Sequence, residues 1–295
     1  MIQNLICAVI EFDPDGVLIF GYKIYFYALL ITTGMICAIV IASKLMKKKG
    51  IPGDQSLDYA ILVIPLAIIG CRIYFLLFPY SNISYEQFEA SWSWQNFWAI
   101  RNGGLGIYGG VILGYISVFI MTRIKKLKFF EIGDSIIPGL LLAQSIGRWG
   151  NFVNGEAYGN LVTNPDLQFF PYAVFADGAW HQATFFYESM FTLIGFFVCL
   201  MLIKDEHYRD GWCMSFYGLY YGLVRLVIEG MRTDSLFLRV PIIWERTFWE
   251  TGIRISQLVS ICIMVFSVVR LGIIYRKELK DFWHRLRNKK PKSNA

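Results

Sequence analysis

Seven long apolar stretches divide this chain and constrain its fold more than any other feature. A helix needs about 20 apolar residues to cross a bilayer, and each stretch approaches that length. The stretches occupy residues 17–43, 57–78, 105–122, 132–147, 184–203, 212–228 and 254–275. The fourth is the weakest, because it is short and carries Pro138, Gln144 and Ser145. The pattern predicts an all-α polytopic membrane protein with seven transmembrane helices, in which residues 1–275 form one transmembrane domain and 276–295 a basic tail.

The overall composition agrees with a membrane protein. Hydrophobic residues make up 56% of the 295 residues and charged residues only 17%, against about 25% charged in ordinary soluble domains. The mean hydropathy is +0.46. A soluble protein of this length could not bury so much apolar surface in one core, so we expect the chain to lie in a lipid bilayer.

Clusters of lysine and arginine predict the orientation of the helices. One cluster follows the first stretch at 43–49, another follows the third at 123–128, and a third fills the tail. Such clusters favour the cytoplasmic side. Seven crossings put all three there, with the C-terminus cytoplasmic and the N-terminus outside. The outer loops are then 79–104, 148–183 and 229–253. We interpret the basic tail as a solvated segment that contacts anionic lipid headgroups rather than nucleic acid.

Several kinds of chemistry have no support in the sequence. The six cysteines form no CxxC pair and most lie in apolar stretches, which is typical of small buried residues. The three histidines are scattered. We therefore expect no metal site. The N-terminus lacks a basic region before an apolar run, so we do not expect a cleavable signal peptide.

Polar side chains gather near the outer end of six predicted helices. Charged groups inside a membrane are costly and mark functional sites by default. The inner halves are almost purely apolar by comparison. This distribution predicts a site for an amphiphile whose headgroup lies at the outer surface. The residues are Tyr27, Arg72, Tyr108, Gln144 with Arg148, Tyr187 with Glu188, and Tyr221 with Arg225 and Glu229.

The segment 221–232 places four polar residues on one helical face. Tyr221, Arg225, Glu229 and Arg232 are spaced four, four and three residues apart, and such spacings face the same side. The simpler interpretation is an Arg–Glu pair that only neutralises itself. Because other polar residues lie at the same depth, we favour a role in a binding site.

Two segments are rich in glycine. The segment 147–159 combines four glycines with Arg148, Asn151 and Glu156. Glycine lets backbone N–H groups approach an anion, and arginine can bind phosphate with two hydrogen bonds. An interfacial turn with an arginine that reaches to the headgroups is the alternative. The segment 101–110 is the second, and its alternative explanation is close packing between helices.

The segment 147–159 (GRWGNFVNGEAYG) resembles the signature of the prolipoprotein diacylglyceryl transferases. Five further blocks resemble the same family in the expected order, so the resemblance covers most of the chain. They are 24–28 (IYFYA), 70–74 (GCRIY), 101–110 (RNGGLGIYGG), 184–188 (TFFYE) and 221–232 (YGLVRLVIEGMR). Three features depart from the family pattern. Many members have histidine in place of Tyr108 and His-Pro in place of Gln182-Ala183, and an Arg-Trp pair is missing before Tyr27.

The resemblance implies a reaction and its partners. The cysteine thiolate in the lipobox of a prolipoprotein signal peptide attacks the glyceryl carbon of phosphatidylglycerol, a thioether forms, and glycerol phosphate leaves. No cofactor is required. The enzyme would lie in the bacterial cytoplasmic membrane with its active site facing the outer leaflet.

The resemblance also suggests roles for individual residues. Arg148 and Arg225 would bind the phosphate, while Glu156 and Glu229 orient these guanidiniums or line the substrate path. The expected catalytic residues are Arg148, Arg225, Asn151, Glu156, Tyr27, Glu229 and Tyr108. The expected lipid-binding residues are Arg148, Arg225, Gly159, Tyr221, Arg72 and Glu188.

The general base is left open by the sequence. A tyrosine titrates near 10 and is a poor base at neutral pH, so Tyr108, Glu156 and the substrate itself are all candidates.

Two other functions share some of these features. A transporter for an anionic amphiphile would also bind with arginines, but it predicts polar groups along the whole path. A scaffold predicts neither the convergent polar residues nor the signature. The aromatic segment 160–183 could either cover the site or form an interfacial belt.

Overall fold

The computed structural model describes most of the chain. It describes residues 10–13, 15–78, 84–93, 98, 105–232, 237–242, 247–278, 280–281 and 284. Most of the predicted loop 79–104, including Arg101 to Gly104 of the second glycine-rich segment, and most of the basic tail lie outside the described residues.

Among the described residues, seven long helices and one short helix form the body of the protein. In chain order they are α1 (Phe26–Lys48), α2 (Gln55–Leu77), α3 (Tyr85–Ser91), α4 (Ile107–Ile124), α5 (Phe129–Val153), α6 (Thr184–Lys204), α7 (Trp212–Met231) and α8 (Ile255–Ile274). Six of the long helices are apolar enough to cross a membrane. Helix α7 is not among them, because Arg225, Glu229 and its tyrosines lower its hydropathy. The protein is thus an all-α multi-pass membrane protein, and the count of seven crossings stays a prediction.

The first predicted span begins too early. Helix α1 starts at Phe26, and the residues before it form an antiparallel sheet of β1 (Ile10–Asp13), β2 (Gly16–Ile19) and β3 (Tyr22–Tyr25). Lys23 pairs with Asp13 at 2.5 Å and with Asp15 at 2.6 Å across this sheet. The prediction was wrong here because hydropathy alone cannot tell a short run of β-branched and aromatic residues from a helix.

Two further hairpins lie between the helices. Strands β4 (Ala173–Ala176) and β5 (Ala179–Gln182) precede α6, and β6 (Phe237–Ile242) and β7 (Thr247–Arg254) precede α8. Both hairpins fall in segments that the sequence predicts as loops at the outer ends of the helices.

Helix α5 is the centre of the bundle. It packs against α1, α6 and α7, and half of its most apolar stretch is buried, against 11% for α1 and α8. It spans 25 residues rather than the predicted 132–147. Ser145 hydrogen-bonds to Ser189 of α6. Helix α5 looks weak as a membrane span because its polar residues face protein instead of lipid.

Helices α2 and α4 approach each other through glycine. A Cβ built on Gly109 would lie 2.0 Å from the carbonyl oxygen of Gly70, and one built on Gly110 would lie 2.5 Å from Sγ of Cys71. No larger side chain fits such a contact. Close packing therefore explains the described part of the second glycine-rich segment.

The helix ends rich in lysine lie together, and we call them the lysine end. There Lys49, which follows α1, donates to the backbone carbonyl of Glu131 on α5 at 3.2 Å, and its ammonium lies 5.1 Å from the ring centre of Tyr208. Lys125 pairs with Asp58 at 2.5 Å. The opposite end, which carries Arg148, is called the site end.

A buried carboxylate joins α5 to α7 at the lysine end. Asp134 accepts hydrogen bonds from the backbone N–H of Gly211 at 2.5 Å and of Met214 at 2.9 Å, and from the hydroxyl of Tyr208. It thus caps the first turn of α7 from another helix. Burial and the carboxylate of Asp134 raise the pKa of Tyr208. The expectation of an almost purely apolar inner half was wrong at this residue. Because protein donors occupy the carboxylate, Asp134 serves as a structural cap.

Candidate active site

Glu188 lies at the centre of the site end, between two arginines. Its Oε1 is 2.7 Å from Nη2 of Arg148 on α5, and its Oε2 is 3.2 Å from Nη1 of Arg225 on α7. The hydroxyl of Tyr221 donates to Oε1 at 2.9 Å. One carboxylate of α6 therefore holds functional groups from both neighbouring helices.

The polar face of α7 carries three of the four predicted residues, because the helix ends at Met231 and Arg232 follows it in extended backbone. Tyr221 and Arg225, one turn apart, both contact Glu188, and Nη2 of Arg225 also donates to Oε2 of Glu229 at 2.8 Å. Arg254 donates to the backbone carbonyl of Glu229 at 2.9 Å. Arg225 is thereby fixed by two carboxylates on different helices.

A second chain of hydrogen bonds leads from Arg148 into the following turn. Nη1 of Arg148 donates to Asn151 at 3.3 Å, and Asn151 donates to Oε1 of Glu156 at 3.1 Å. Asn154 donates to the same oxygen at 3.3 Å. Helix α5 continues to Val153, so Arg148 and Asn151 lie on the helix rather than in the predicted loop. Rigid backbone therefore positions both residues.

Two further helices each bring a tyrosine near one of the arginines. Tyr27 of α1 lies close enough to Arg148 and Glu156 to interact with their charges, and Tyr108 of α4 does the same with Arg225 and Glu229. The structure thus brings together the tyrosines and arginines that the sequence placed at one depth.

Gly159 fixes the segment after α5 against the start of α6. Its N–H donates to the carbonyl of Gln182 at 2.9 Å, and it forms an isolated antiparallel bridge with Arg232. A Cβ on Gly159 would lie 2.7 Å from Cβ of Gln182 and 2.8 Å from Cγ2 of Thr184. Only glycine allows this approach.

The aromatic residues of the segment 160–183 point largely outward. Phe169, Phe170 and Phe175 are 52%, 53% and 61% exposed. Outward aromatic side chains are typical of an interfacial belt, so the arrangement favours that alternative over a lid.

Burial divides the charged groups of the site into two sets. The side chains of Glu188 and Glu229 are 2% and 3% exposed, whereas those of Arg225 and Arg148 are 13% and 22% exposed. A buried side chain can keep its charge when an opposite charge and hydrogen bonds compensate for the lost hydration. A ligand that enters the site would therefore meet the guanidiniums first, which suits an anion.

Arg72, which the sequence places among the lipid-binding residues, is buried on α2. Its guanidinium lies 5.3 Å from the ring centre of Phe75, and its place in lipid binding stays a prediction. The sequence analysis missed Arg254 and Tyr217. Arg254 could have been found, because it is a charged residue at the N-terminal end of a predicted membrane helix. Nothing in the sequence pattern distinguishes Tyr217.

The bundle defines a multi-pass membrane protein, and its two paired arginines define a largely buried polar site at one end. The family model described as prolipoprotein diacylglyceryl transferase matches residues 16–273. The chain belongs to that family.

Curated relatives named phosphatidylglycerol–prolipoprotein diacylglyceryl transferase are similar over nearly their whole length. The Streptococcus uberis protein is 39% identical over 271 residues, which cover 91% of this chain and 96% of the relative. The protein of Streptococcus equi subsp. zooepidemicus is 40% identical over 87% of this chain and 95% of its own. That of Finegoldia magna is 38% identical over 88% and 95%. These similarities make the chain a transferase.

Proposed function

We propose that this protein transfers the diacylglyceryl group of phosphatidylglycerol to the thiol of a prolipoprotein lipobox cysteine. The observation that carries the proposal is the pair Arg148 and Arg225 held on the two oxygens of one buried carboxylate, Glu188. Two fixed guanidiniums can bind the phosphodiester of the lipid and stabilise the negative charge of the phosphate leaving group. The family and the names of the relatives agree with this reaction.

The reaction is a displacement at carbon. The cysteine sulfur attacks the glyceryl carbon bonded to the phosphate oxygen, the new C–S bond forms, and the C–O bond breaks with its electron pair going to glycerol phosphate. Arg148 and Arg225 stabilise the charge that develops on the phosphate. A free thiol has a pKa of about 8.5, so its deprotonation near neutral pH costs little. Tyr108, Glu156 and the leaving phosphate are the candidate acceptors of that proton.

We assign Glu188 to positioning rather than to direct lipid contact. Its carboxylate is almost fully buried. It accepts hydrogen bonds from Tyr221 and Arg225 and forms an ion pair with Arg148. Glu229 holds Arg225 in the same way. On the other side, Asn151 and Glu156 fix Arg148 and face the headgroup.

The proposed orientation puts the site in the outer leaflet of the bacterial cytoplasmic membrane. The lysine clusters favour the cytoplasmic side, which leaves the site end outside. The lipid then enters sideways between helices, and the prolipoprotein signal peptide also arrives from the membrane.

The first experiment follows acyl label from lipid to peptide. Purified full-length protein in detergent receives phosphatidylglycerol with labelled acyl chains and a synthetic lipobox peptide. Label should reach the peptide and should not do so when serine replaces the cysteine. A folded sample that binds phosphatidylglycerol but transfers no label would instead support a transporter or a receptor.

A further inference from the structure

Only one end of the side-chain amide of Gln144 has a hydrogen-bond partner among the described residues. Its Nε2 donates to the hydroxyl of Tyr217 at 2.9 Å, while its Oε1 is buried and has no hydrogen-bond partner among the described residues. Buried polar groups are normally paired. An unpaired amide oxygen inside the bundle is therefore a candidate contact for a ligand.

The position of this amide relative to the arginines is fixed by helix geometry. Gln144 precedes Arg148 by one turn of α5, and Tyr217 precedes Tyr221 by one turn of α7. The rings of Tyr217 and Tyr221 stack with their centres 5.2 Å apart. Gln144 thus lies about 6 Å, and Tyr217 about 12 Å, nearer the middle of the membrane than the arginine on its own helix.

A lipid whose phosphate binds the arginines must direct its acyl chains toward the middle of the membrane. The groups it brings to the level of Gln144 are the glycerol backbone and the acyl ester carbonyls, which accept hydrogen bonds and do not donate them. The two ends of a glutamine amide differ only by a half-turn, and the hydroxyl of Tyr217 can pair with either. Gln144 can therefore present its NH2 group while Tyr217 donates to its oxygen.

We propose that Gln144 donates a hydrogen bond to an acyl ester carbonyl of the lipid and so selects ester-linked chains. The proposal rests on the proposed function, because it takes the phosphate of the transferred lipid as the ligand of Arg148 and Arg225. Gln144 becomes a specificity-determining residue for the part of the lipid that is transferred, whereas the arginines recognise the part that leaves.

The test is a competition between two lipids in the same vesicles. Full-length protein receives equal amounts of phosphatidylglycerol with ester-linked chains and its analogue with ether-linked chains of equal length, each with a different label, together with the lipobox peptide. The ratio of labelled products gives the ratio of kcat/KM values. We expect the wild type to prefer the ester lipid by about tenfold, as the loss of one hydrogen bond would cause.

The variant Gln144→Leu should bring this ratio to about one, because the ester lipid loses its hydrogen bond and the ether lipid has none to lose. Gln144→Met provides a second variant with a flexible side chain. Ser117→Ala is the control, because it also removes a buried polar group, a hydroxyl whose partner is the carbonyl of Leu113 on its own helix. It should keep the wild-type ratio.

Three outcomes would overturn the inference. The wild type could use both lipids equally, which needs no variant to observe. The variants could keep the ester preference while both rates fall together, which would make Gln144 a packing residue. Finally, no transfer from either lipid by the wild type would contradict the proposed function itself, and this result is distinct from transfer without preference.

Discussion

Arg148 and Arg225 bind opposite oxygens of the same carboxylate, at 2.7 Å and 3.2 Å, although they belong to different helices. Glu188 offsets the repulsion between two guanidiniums that would otherwise share a poorly hydrated site. The separation of the two arginines therefore depends on one side chain of α6.

The variant Glu188→Gln tests this dependence. Glutamine keeps the volume but cannot pair with both cations, so we expect kcat to fall at least tenfold while phosphatidylglycerol still binds. Turnover at saturating lipid and equilibrium lipid binding measure the two effects separately. Unchanged kcat would contradict a positioning role for Glu188.

Substitution of the arginines should affect the chemical step most strongly. We expect Arg148→Ala to lower turnover per folded enzyme by roughly 100-fold, as loss of one preorganised donor does in other enzymes. Arg225→Lys should lower it less, because a charge remains but the two-sided contact with Glu188 and Glu229 is lost. Arg209→Ala is the control, since this arginine pairs with Glu278 at the lysine end. Near wild-type turnover of Arg148→Ala would refute the phosphate assignment.

The residue at position 108 decides whether a side chain of α4 can accept the proton of the substrate thiol. We expect Tyr108→His to be active and to gain a descending limb in its pH–rate profile as pH falls through about 6.5, because a protonated imidazole cannot accept a proton. Tyr108→Phe should be slower than the wild type at all pH values. A profile of Tyr108→His that matches the wild type would place proton transfer elsewhere.

Gly159→Ala should displace the segment that closes against α6. The new Cβ would meet Gln182 and Thr184 below 3.0 Å, so we expect a tenfold or greater loss of activity. Gly272→Ala is the matched control, because a Cβ on Gly272 would meet nothing within 4 Å. Equal activities of the two variants would show that the close approach at Gly159 is not required.

Asp134→Asn should reduce the stability of the protein more than it reduces activity per folded enzyme. The amide cannot accept all three hydrogen bonds that the carboxylate receives, and we expect a loss of about 1–3 kcal/mol. Thermal unfolding in detergent would measure it as a lower Tm, with activity per folded enzyme preserved. Asp58→Asn, at the exposed pair with Lys125, should leave Tm nearly unchanged.

The sequence predicts which polar residues lie together at the site end, but it does not predict the contacts between them. Hydropathy and helical spacing placed Arg148, Glu188 and Arg225 at one depth, because helix geometry fixes depth. Which helix lies beside which is decided by packing, so the bridging role of Glu188 could not be predicted. The half-paired amide of Gln144 is likewise a property of the packed interior and has no signature in the pattern.

Two errors have the same origin. Residues 17–25 are apolar enough for a membrane span but form strands β2 and β3, and Asp134 lies inside a predicted span as a helix cap. Hydropathy reports the mean environment of a segment. It carries no information on which backbone groups a side chain will satisfy.

Helix α5 fixes the distance between the structural cap at Asp134 and the site residue Arg148. Asp134 and Arg148 are separated by almost four turns, or about 21 Å, so both face the neighbouring helices from one side. Inserting one residue between them would rotate Arg148 by about 100° relative to the cap and turn it away from Glu188. The length of this interval is therefore as much a part of the active site as the residues at its ends, and the interval should tolerate substitutions far better than insertions or deletions.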